Sequence, residues 1–414
     1  MDVLFIIKVI NMTISHLDII KANSVINNYI ISTETSYSHS LSELTGCNTI
    51  VKYENKQHTG SFKIRGALNK ILSLSNKEKL NGIVAMSAGN HSQGVAYSAK
   101  IIGIKSTIVM PDNTPFAKIR KTTDLGAEVI IHGNTLIDSE AYVDNLVETR
   151  NLTKIHPYND PDIIAGQGTL ALEMLQEHSD LDVLLVPVGG GGLIAGCSIM
   201  AKHINKDIKV IGVQTELYPS LYNLFNDVTN KCEGTTLAEG IAVQKIGDIP
   251  LSIIKKNVDD VILVSENFIE EGVSTFLLND KTVAEGAGAI GLGALLQHKE
   301  KFKGKKVGIL LCGGNIDSRV LSSVLMRGLV RKGQIITLSI AMADKPGQLA
   351  IISQLCSEEK VNILGVEHSR FTLDLSVSAA RLEITLETRN NEHANNIIKR
   401  IELLGFSVIV KNTK

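Results

Sequence analysis

The sequence of 414 residues has no tryptophan, and only 4% of it is aromatic. Base-stacking platforms for single-stranded nucleic acid need aromatic side chains, so that class of function is disfavoured from the start. An excess of charge of one sign is also lacking: 42 Lys and Arg face 43 Asp and Glu, a formal net charge of -1. No global field draws this chain to nucleic acid or to an anionic membrane. No apolar run is long enough for a transmembrane helix. Cysteine is sparse, with Cys47, Cys197, Cys232, Cys312 and Cys356 odd in number, scattered and without a C-x-x-C pair. That pattern argues against a disulfide framework and against a zinc site, and it points to a reducing, cytoplasmic address. The apolar start, residues 1–10, has no small-residue cleavage site after it and reads as a docking strand or an upstream-start artefact, not a signal peptide.

What is present is a rhythm. Apolar spacing through Ile14, Leu17, Ile20, Ala22, Val25, Ile26 and Ile30 predicts a helix over 13–29 that packs on a neighbouring domain. Short apolar strands at 50–53, 83–86, 106–110, 127–131, 183–188, 209–213, 261–264 and 306–312 alternate with helical stretches. Such alternation predicts an α/β fold, a parallel sheet with helices on its faces. Ser87, Gly189 and Cys312 then fall at carboxyl ends of strands, where open parallel sheets bind ligands, and their loops are expected to converge. From about 333 the order becomes strand, helix, strand, strand, helix, strand, a ferredoxin-like βαββαβ unit of its own.

Three stretches carry chemistry. In Ser61-Phe62-Lys63-Ile64-Arg65-Gly66-Ala67 a lysine heads a helix between an aromatic ring and a second cation. Desolvation and repulsion by the like charge of Arg65 would lower its pKa and make its amine a nucleophile toward carbonyls. An ordinary solvated lysine is the plainer reading of those seven residues alone. The run Gly189-Gly190-Gly191-Gly192 between a strand and a helix lets backbone N–H groups close on a phosphate at a helix N-terminus. Its rival reading is dinucleotide binding, since Gly190-x-Gly192-x-x-Ala195 fits the permissive fingerprint and Glu216 stands where a ribose-binding acid would sit. That nicotinamide reading leaves Lys63 and the stretch Ser87-Ala88-Gly89-Asn90-His91 unexplained. The latter offers a hydroxyl, a carboxamide and backbone donors ahead of a helix, suited to an α-carboxylate, with a simple capping turn as the alternative.

Taken together, Thr59 to Ala67, Ser87 to Gln93, the glycine run and Cys312 to Asp317 resemble the fold-type II pyridoxal-phosphate enzymes, specifically the threonine dehydratase and serine racemase group, over roughly 14–330. The stretch Asp344-Lys345-Pro346-Gly347-Gln348-Leu349 after the first strand of the terminal unit resembles an ACT domain. The whole chain is similar to threonine ammonia-lyases with one regulatory ACT domain. The resemblance divides it into a catalytic region, 1–332, of two interleaved lobes with the smaller at about 50–155, and an ACT-like region, 333–414.

The resemblance also implies roles. Lys63 would hold pyridoxal 5'-phosphate as a Schiff base and later remove the substrate α-proton. Phe62 would pack beside the cofactor, Asn90 would bond its 3-hydroxyl, and Gly189, Gly190, Gly191, Gly192 and Leu193 would hold its phosphate. Glu285 would lie near the ring and Cys312 would face the pyridine nitrogen, where a weak acid leaves that nitrogen unprotonated and favours elimination. Ser87, Ala88, Gly89, Asn90 and His91 would grip the substrate carboxylate. Threonine would yield 2-oxobutyrate and ammonia, with serine as a slower substrate, in isoleucine biosynthesis or threonine catabolism. Ala88 stands where a racemase of this group has a serine that acts as the opposite-face acid, and an alanine cannot transfer a proton. Ser32-Thr33-Glu34-Thr35 departs from the Arg-Thr-Pro turn common among relatives and puts the local entry loop in doubt. Asp344, Pro346, Gly347, Gln348 and Leu349 would bind an amino-acid effector such as isoleucine or valine in a dimer or tetramer. No residue set is assigned to a metal, although Glu216 and Glu239 are the acids near which a monovalent cation would sit. Serine dehydratase, a serine racemase-like enzyme and an amino-acid-sensing protein with a decayed site are the alternatives.

Overall fold

The computed structural model describes residues 14–370 and 376–411, so the expectation for residues 1–10 lies outside the described residues. The chain forms two compact units, the first ending at Ile316 and the second beginning at Asp317.

The first unit contains two sheets. In the larger, strands Thr35–Tyr37, Asn48–Tyr53, Lys306–Leu311, Val183–Pro187, Lys209–Thr215 and Asp260–Val264 lie side by side in that order. All neighbours are parallel except the edge pair Thr35–Tyr37 with Asn48–Tyr53. The smaller sheet orders Glu128–Ile131, Ser106–Met110, Ile83–Met86 and Thr153–Lys154, all parallel. Every residue of Ser106–Met110 and Val183–Pro187 is buried, as expected of parallel strands covered on both faces. The parallel pairing is that anticipated from the strand rhythm, and the two open lobes are those the family resemblance implied.

Helix Pro161–Glu177 binds the lobes together, and the strand-centred sequence pattern did not single it out. It lies close against helix Lys63–Ser73 because both carry glycine at the crossing. A Cβ built on Gly166 would meet Arg65 O at 2.6 Å, and one on Gly66 would meet Gln167 Nε2 at 2.5 Å. Either substitution forces the helices apart.

The first helix is His16–Ile26, and its buried face runs through Ile19, Ala22 and Ile26. Leu17, Ile20 and Val25, expected to face inward, are 64%, 43% and 38% exposed. The face is turned because Ile19 and Ala22 seat between the helices of this same unit, where Ile19 reaches Gly168.

In the second unit, helix Ser318–Arg331 precedes an antiparallel sheet ordered Asn362–Ser369, Ala379–Glu387, Ile335–Ala343, Ser407–Val410. Helices Gln348–Glu358 and Asn391–Leu403 lay Ile352, Leu355, Ile397 and Ile401 on Leu338, Ile340, Leu382 and Ile384. Each such side chain fully buried is worth about 1.5 to 3 kcal/mol before entropy is charged against it. The order is the βαββαβ anticipated.

Candidate active site

Lys63 is the first residue of helix Lys63–Ser73. The backbone before it is clamped to the end of strand Lys306–Leu311: Ser61 bridges Gly313, and Phe62 N donates to Cys312 O at 3.0 Å. On the other flank helix Asn90–Ile102 comes so near that a Cβ on Gly94 would lie 3.1 Å from Ile64 N. The backbone at Lys63 is thereby held on both flanks, and its side chain is half-buried. Its Nζ donates to Pro157 O at 3.2 Å and stands 5.3 Å from the Phe62 ring centroid. Burial lowers its pKa to about 8, against the opposing pull of Cys312 and Glu285. Arg65 does not supply the repulsion expected of it, because its guanidinium is turned away into two carboxylates, Glu54 and Glu173.

Asn90 connects three loops. Its Nδ2 donates to Glu285 Oε1 at 2.6 Å, and its Oδ1 accepts from Asn315 Nδ2 at 2.8 Å. Asn315 Nδ2 also reaches Thr59 O at 2.7 Å, tying the loop after Cys312 to the approach to Lys63. Glu285 occupies the N-cap position of helix Gly286–Gln297, yet its carboxylate does not cap the helix and faces Asn90 instead. Burial raises its pKa to about 7, while the Asn90 hydrogen bond works the other way. Cys312 is 3% exposed, and burial pushes its thiol well above the usual range, so it stays protonated. Its Sγ lies 3.5 Å from Ala287 O.

The glycine run follows strand Val183–Pro187 and opens helix Gly192–Ile204. Gly191 has φ of 92°, the left-handed region that favours glycine. Behind the run stands Tyr158: a Cβ on Gly190 would fall 2.3 Å from its Cδ1, and one on Gly192 3.0 Å from its Cα. Tyr158 therefore forms a wall under the loop, and its neighbour Pro157 is the residue that holds the Lys63 amine. Both backbone N–H groups of Tyr158 and Asn159 donate to His156 Nδ1, at 3.2 and 2.8 Å.

The loop Ser87 to His91 leads into helix Asn90–Ile102, with Gly89 at its N-cap. Ser87 Oγ accepts from Gly89 N at 3.1 Å, and Ser92 Oγ donates to Gly89 O at 2.6 Å. A Cβ on Gly89 would meet nothing within 4 Å, so the loop borders open space. The His91 ring turns inward, and its Nε2 lies 3.0 Å from Ile155 O. Facing a carbonyl, Nε2 carries the hydrogen; burial and the Lys63 charge lower its pKa to about 3 and keep the ring neutral.

Sequence reasoning thus named Lys63, Phe62, Asn90, Glu285 and Cys312, which the fold brings together. It missed Pro157 and Tyr158, and it gave Asn315, within the stretch Cys312 to Asp317, no role of its own. A polar residue directly after two glycines at a strand's carboxyl end was a usable signal for Asn315, whereas Pro157 acts through its carbonyl and gave none. Glu239, one of the two acids considered for a cation, is paired with Lys118 at 2.6 Å. Among the described residues no group of three or more His, Cys, Asp or Glu could hold a metal ion.

In the second unit, Asp344 Oδ1 accepts from Arg370 Nε at 2.9 Å. Gly347, with φ of 93°, caps helix Gln348–Glu358, and Leu349 is 38% exposed. The anticipated effector stretch is thus an exposed loop entering a helix.

A family model for pyridoxal-phosphate dependent enzymes matches residues 26–313, and an ACT domain model matches residues 331–404. The chain belongs to the pyridoxal-phosphate dependent enzymes. Its relatives include the L-threonine ammonia-lyase of Thermotoga maritima, 43% identical over 94% of this chain and 98% of that one. Among solved structures, the processed form of threonine deaminase isoform 2 from Solanum lycopersicum is 30% identical with a TM-score of 0.71, covering 77% of this chain and 88% of that one. The serine racemase of Dictyostelium discoideum is 36% identical with a TM-score of 0.69, covering 73% of this chain and 99% of that one. Membership replaces the nicotinamide reading of the glycine run.

The residues fit the cofactor of this pyridoxal-phosphate dependent enzyme. A cradle without side chains, backed by Tyr158 and opening a helix, suits its phosphate. A half-buried amine of lowered pKa suits its aldehyde. Ser61 Oγ, buried beside them, has no hydrogen-bond partner within the protein.

Proposed function

We propose that the chain is an L-threonine ammonia-lyase, converting L-threonine to 2-oxobutyrate and ammonia, with L-serine as a slower substrate. The observation that carries this reading is the Lys63 amine, half-buried and facing Pro157 O, with Cys312 and Glu285 beside it. The names of relatives that align along nearly the whole chain support it.

In this reading Lys63 would hold pyridoxal 5'-phosphate, Gly189 to Leu193 would receive its phosphate, and Phe62 would pack beside it. One amide hydrogen of Asn90 holds Glu285, and the other would serve the ring hydroxyl. When bound, the cofactor supplies a conjugated ring that takes up the electron pair left at the α-carbon. The neutral Cys312 thiol presents no charge to the pyridine nitrogen. The loop Ser87 to His91 aims N–H groups of the helix start at the substrate carboxylate. Lys63, whose amine is free for part of the time near neutral pH, takes the α-proton at Nζ. Ala88 has no hydroxyl to deliver a proton to the opposite face, which favours elimination over racemisation and separates this chain from a serine racemase-like enzyme.

The terminal unit gives regulation: Asp344 to Leu349 bind an amino-acid effector, isoleucine or valine, in a homo-oligomer. Among the described residues no helix is long and apolar enough to cross a membrane, and the free cysteines agree with a cytoplasmic enzyme. The test is 2-oxobutyrate release from L-threonine by the wild type and by Lys63→Ala. Turnover by the wild type and none by the variant is expected, and an active Lys63→Ala protein would sink the reading.

A further inference from the structure

Beneath Lys63 lies a charge network that the proposed chemistry does not use. Arg65, in the same helical turn, is fully buried, and its guanidinium is bonded on every side. Nε and Nη2 donate to Glu54 at 2.8 and 2.7 Å, and Nη1 and Nη2 donate to Glu173 at 2.6 and 2.8 Å. Nη1 also donates to Thr169 Oγ1 at 3.1 Å. All the N–H donors of the fork are thereby satisfied. Lys52 Nζ reaches Glu173 Oε2 at 2.8 Å and Thr33 O at 2.5 Å, and Thr33 Oγ1 donates to Glu54. Two cations face two carboxylates, so the cluster is neutral overall.

A neutral buried cluster of this kind is a poor device for stability. Removing each ion from water costs several kcal/mol, and apolar side chains of similar volume often serve as well. What it does provide is direction. Glu54 follows strand Asn48–Tyr53, and Thr169 and Glu173 belong to helix Pro161–Glu177. In this rotamer and helix placement both carboxylates and Thr169 engage the fork, so a shift of either element breaks part of the set. With Phe62 N fixed on Cys312 O, the backbone on both sides of Lys63 is held.

We propose that Arg65, gripped by Glu54, Glu173 and Thr169, is a positioning residue that sets where the Lys63 amine stands. The proposal rests on the reading of Lys63 as the reactive lysine. Because the cluster carries no net charge, what it contributes to the amine is chiefly placement.

Three variants test it in the full-length protein, none of which alters a group assigned to substrate or cofactor. Glu173→Gln keeps shape but removes one carboxylate, and Thr169→Val removes one hydrogen bond and is the milder change. Misplacement of a reacting group by about 1 Å costs about a hundredfold in rate. The expected result for Glu173→Gln is a kcat lowered about tenfold or more with KM within about twofold of the wild type. Thr169→Val should lower kcat by about threefold, and Glu173→Asp should recover part of the Glu173→Gln loss. A second readout needs no turnover: the rate at which an amine reagent labels Lys63 in the cofactor-free protein, followed by peptide mass spectrometry, changes in the same order. A lowered thermal midpoint with unchanged kcat and unchanged labelling in both Glu173→Gln and Thr169→Val would overturn the proposal and leave the cluster structural. If Glu173→Gln fails to fold, Thr169→Val alone decides by the same two readouts. An active Lys63→Ala protein would instead overturn the underlying reading, so the two failures are distinct.

Discussion

Replacing Glu285 with glutamine removes a carboxylate that helps keep the proton on Lys63, and the size of the response follows from the two pKa values. Lys63 is lowered by burial from 10.5 to about 8. At pH 7 its neutral fraction is then 10^(7−8), about one in ten, against 10^(7−10.5), about one in three thousand, for an ordinary lysine. Burial thus raises the reactive fraction about three hundredfold. Glu285 resists this, and its own pKa of about 7 means that its charge is half developed at neutrality and full above it. The Glu285→Gln protein should therefore show a Lys63 midpoint below that of the wild type, with the two labelling curves separating chiefly above pH 7. The assay is the pH dependence of Lys63 modification in the cofactor-free protein, read by peptide mass spectrometry. A wild-type midpoint near 10.5, or a midpoint that rises in the variant, would refute the electrostatic argument.

Gly190→Ala sets a Cβ 2.3 Å from the Tyr158 ring, so it should weaken pyridoxal-phosphate retention about tenfold or more, an overpacking cost of about 1 to 3 kcal/mol. Gly190→Ala with Tyr158→Ala should recover part of that loss in an equilibrium dialysis measurement, and no recovery would mean that the wall does not act through this contact. On the proposed reading Ala88→Ser would place a hydroxyl on the far side of the substrate and should bring measurable formation of D-serine from L-serine by chiral chromatography, whereas a variant making none would discount the argument from Ala88. His91 and His156 are held neutral by burial, with pKa values lowered to about 3 and about 4. The unfolded chain takes up protons at these residues below about 6.5 and the folded chain does not, so their contribution to stability is lost as pH falls from about 6.5 toward 3. Glu285, raised to about 7, binds its proton more readily when folded and acts in the opposite sense between 4.5 and 7. The urea midpoint should fall from pH 7 to pH 5, and less so in His156→Asn; an unchanged slope in that variant would remove His156 from the account.

Much of this was readable in the sequence because parallel strands and phosphate loops leave strong local marks. Val183 to Val188 running into four glycines has few other physical readings, and Lys63 lies at the head of its helix as the flanking residues indicated. Less visible was whatever depends on two distant segments meeting. Arg65 looked like a repelling neighbour, and only the arrival of Glu54 and Glu173 shows that its charge is spent elsewhere. Pro157 contributes a carbonyl, which every residue possesses, so its hold on Lys63 had no sequence mark. The first helix shows the same limit at the level of packing. Its apolar residues cover more than one face, and the neighbours, not the periodicity, chose Ile19, Ala22 and Ile26 for burial.

The most direct test of the central claim is to load the full-length protein with pyridoxal 5'-phosphate, reduce it with borohydride and map the labelled peptide. The account predicts one equivalent of covalently fixed cofactor on Lys63 and protection of that site from reduction when L-threonine is turning over. Label on another lysine, or no fixed cofactor in a protein that still deaminates threonine, would contradict it.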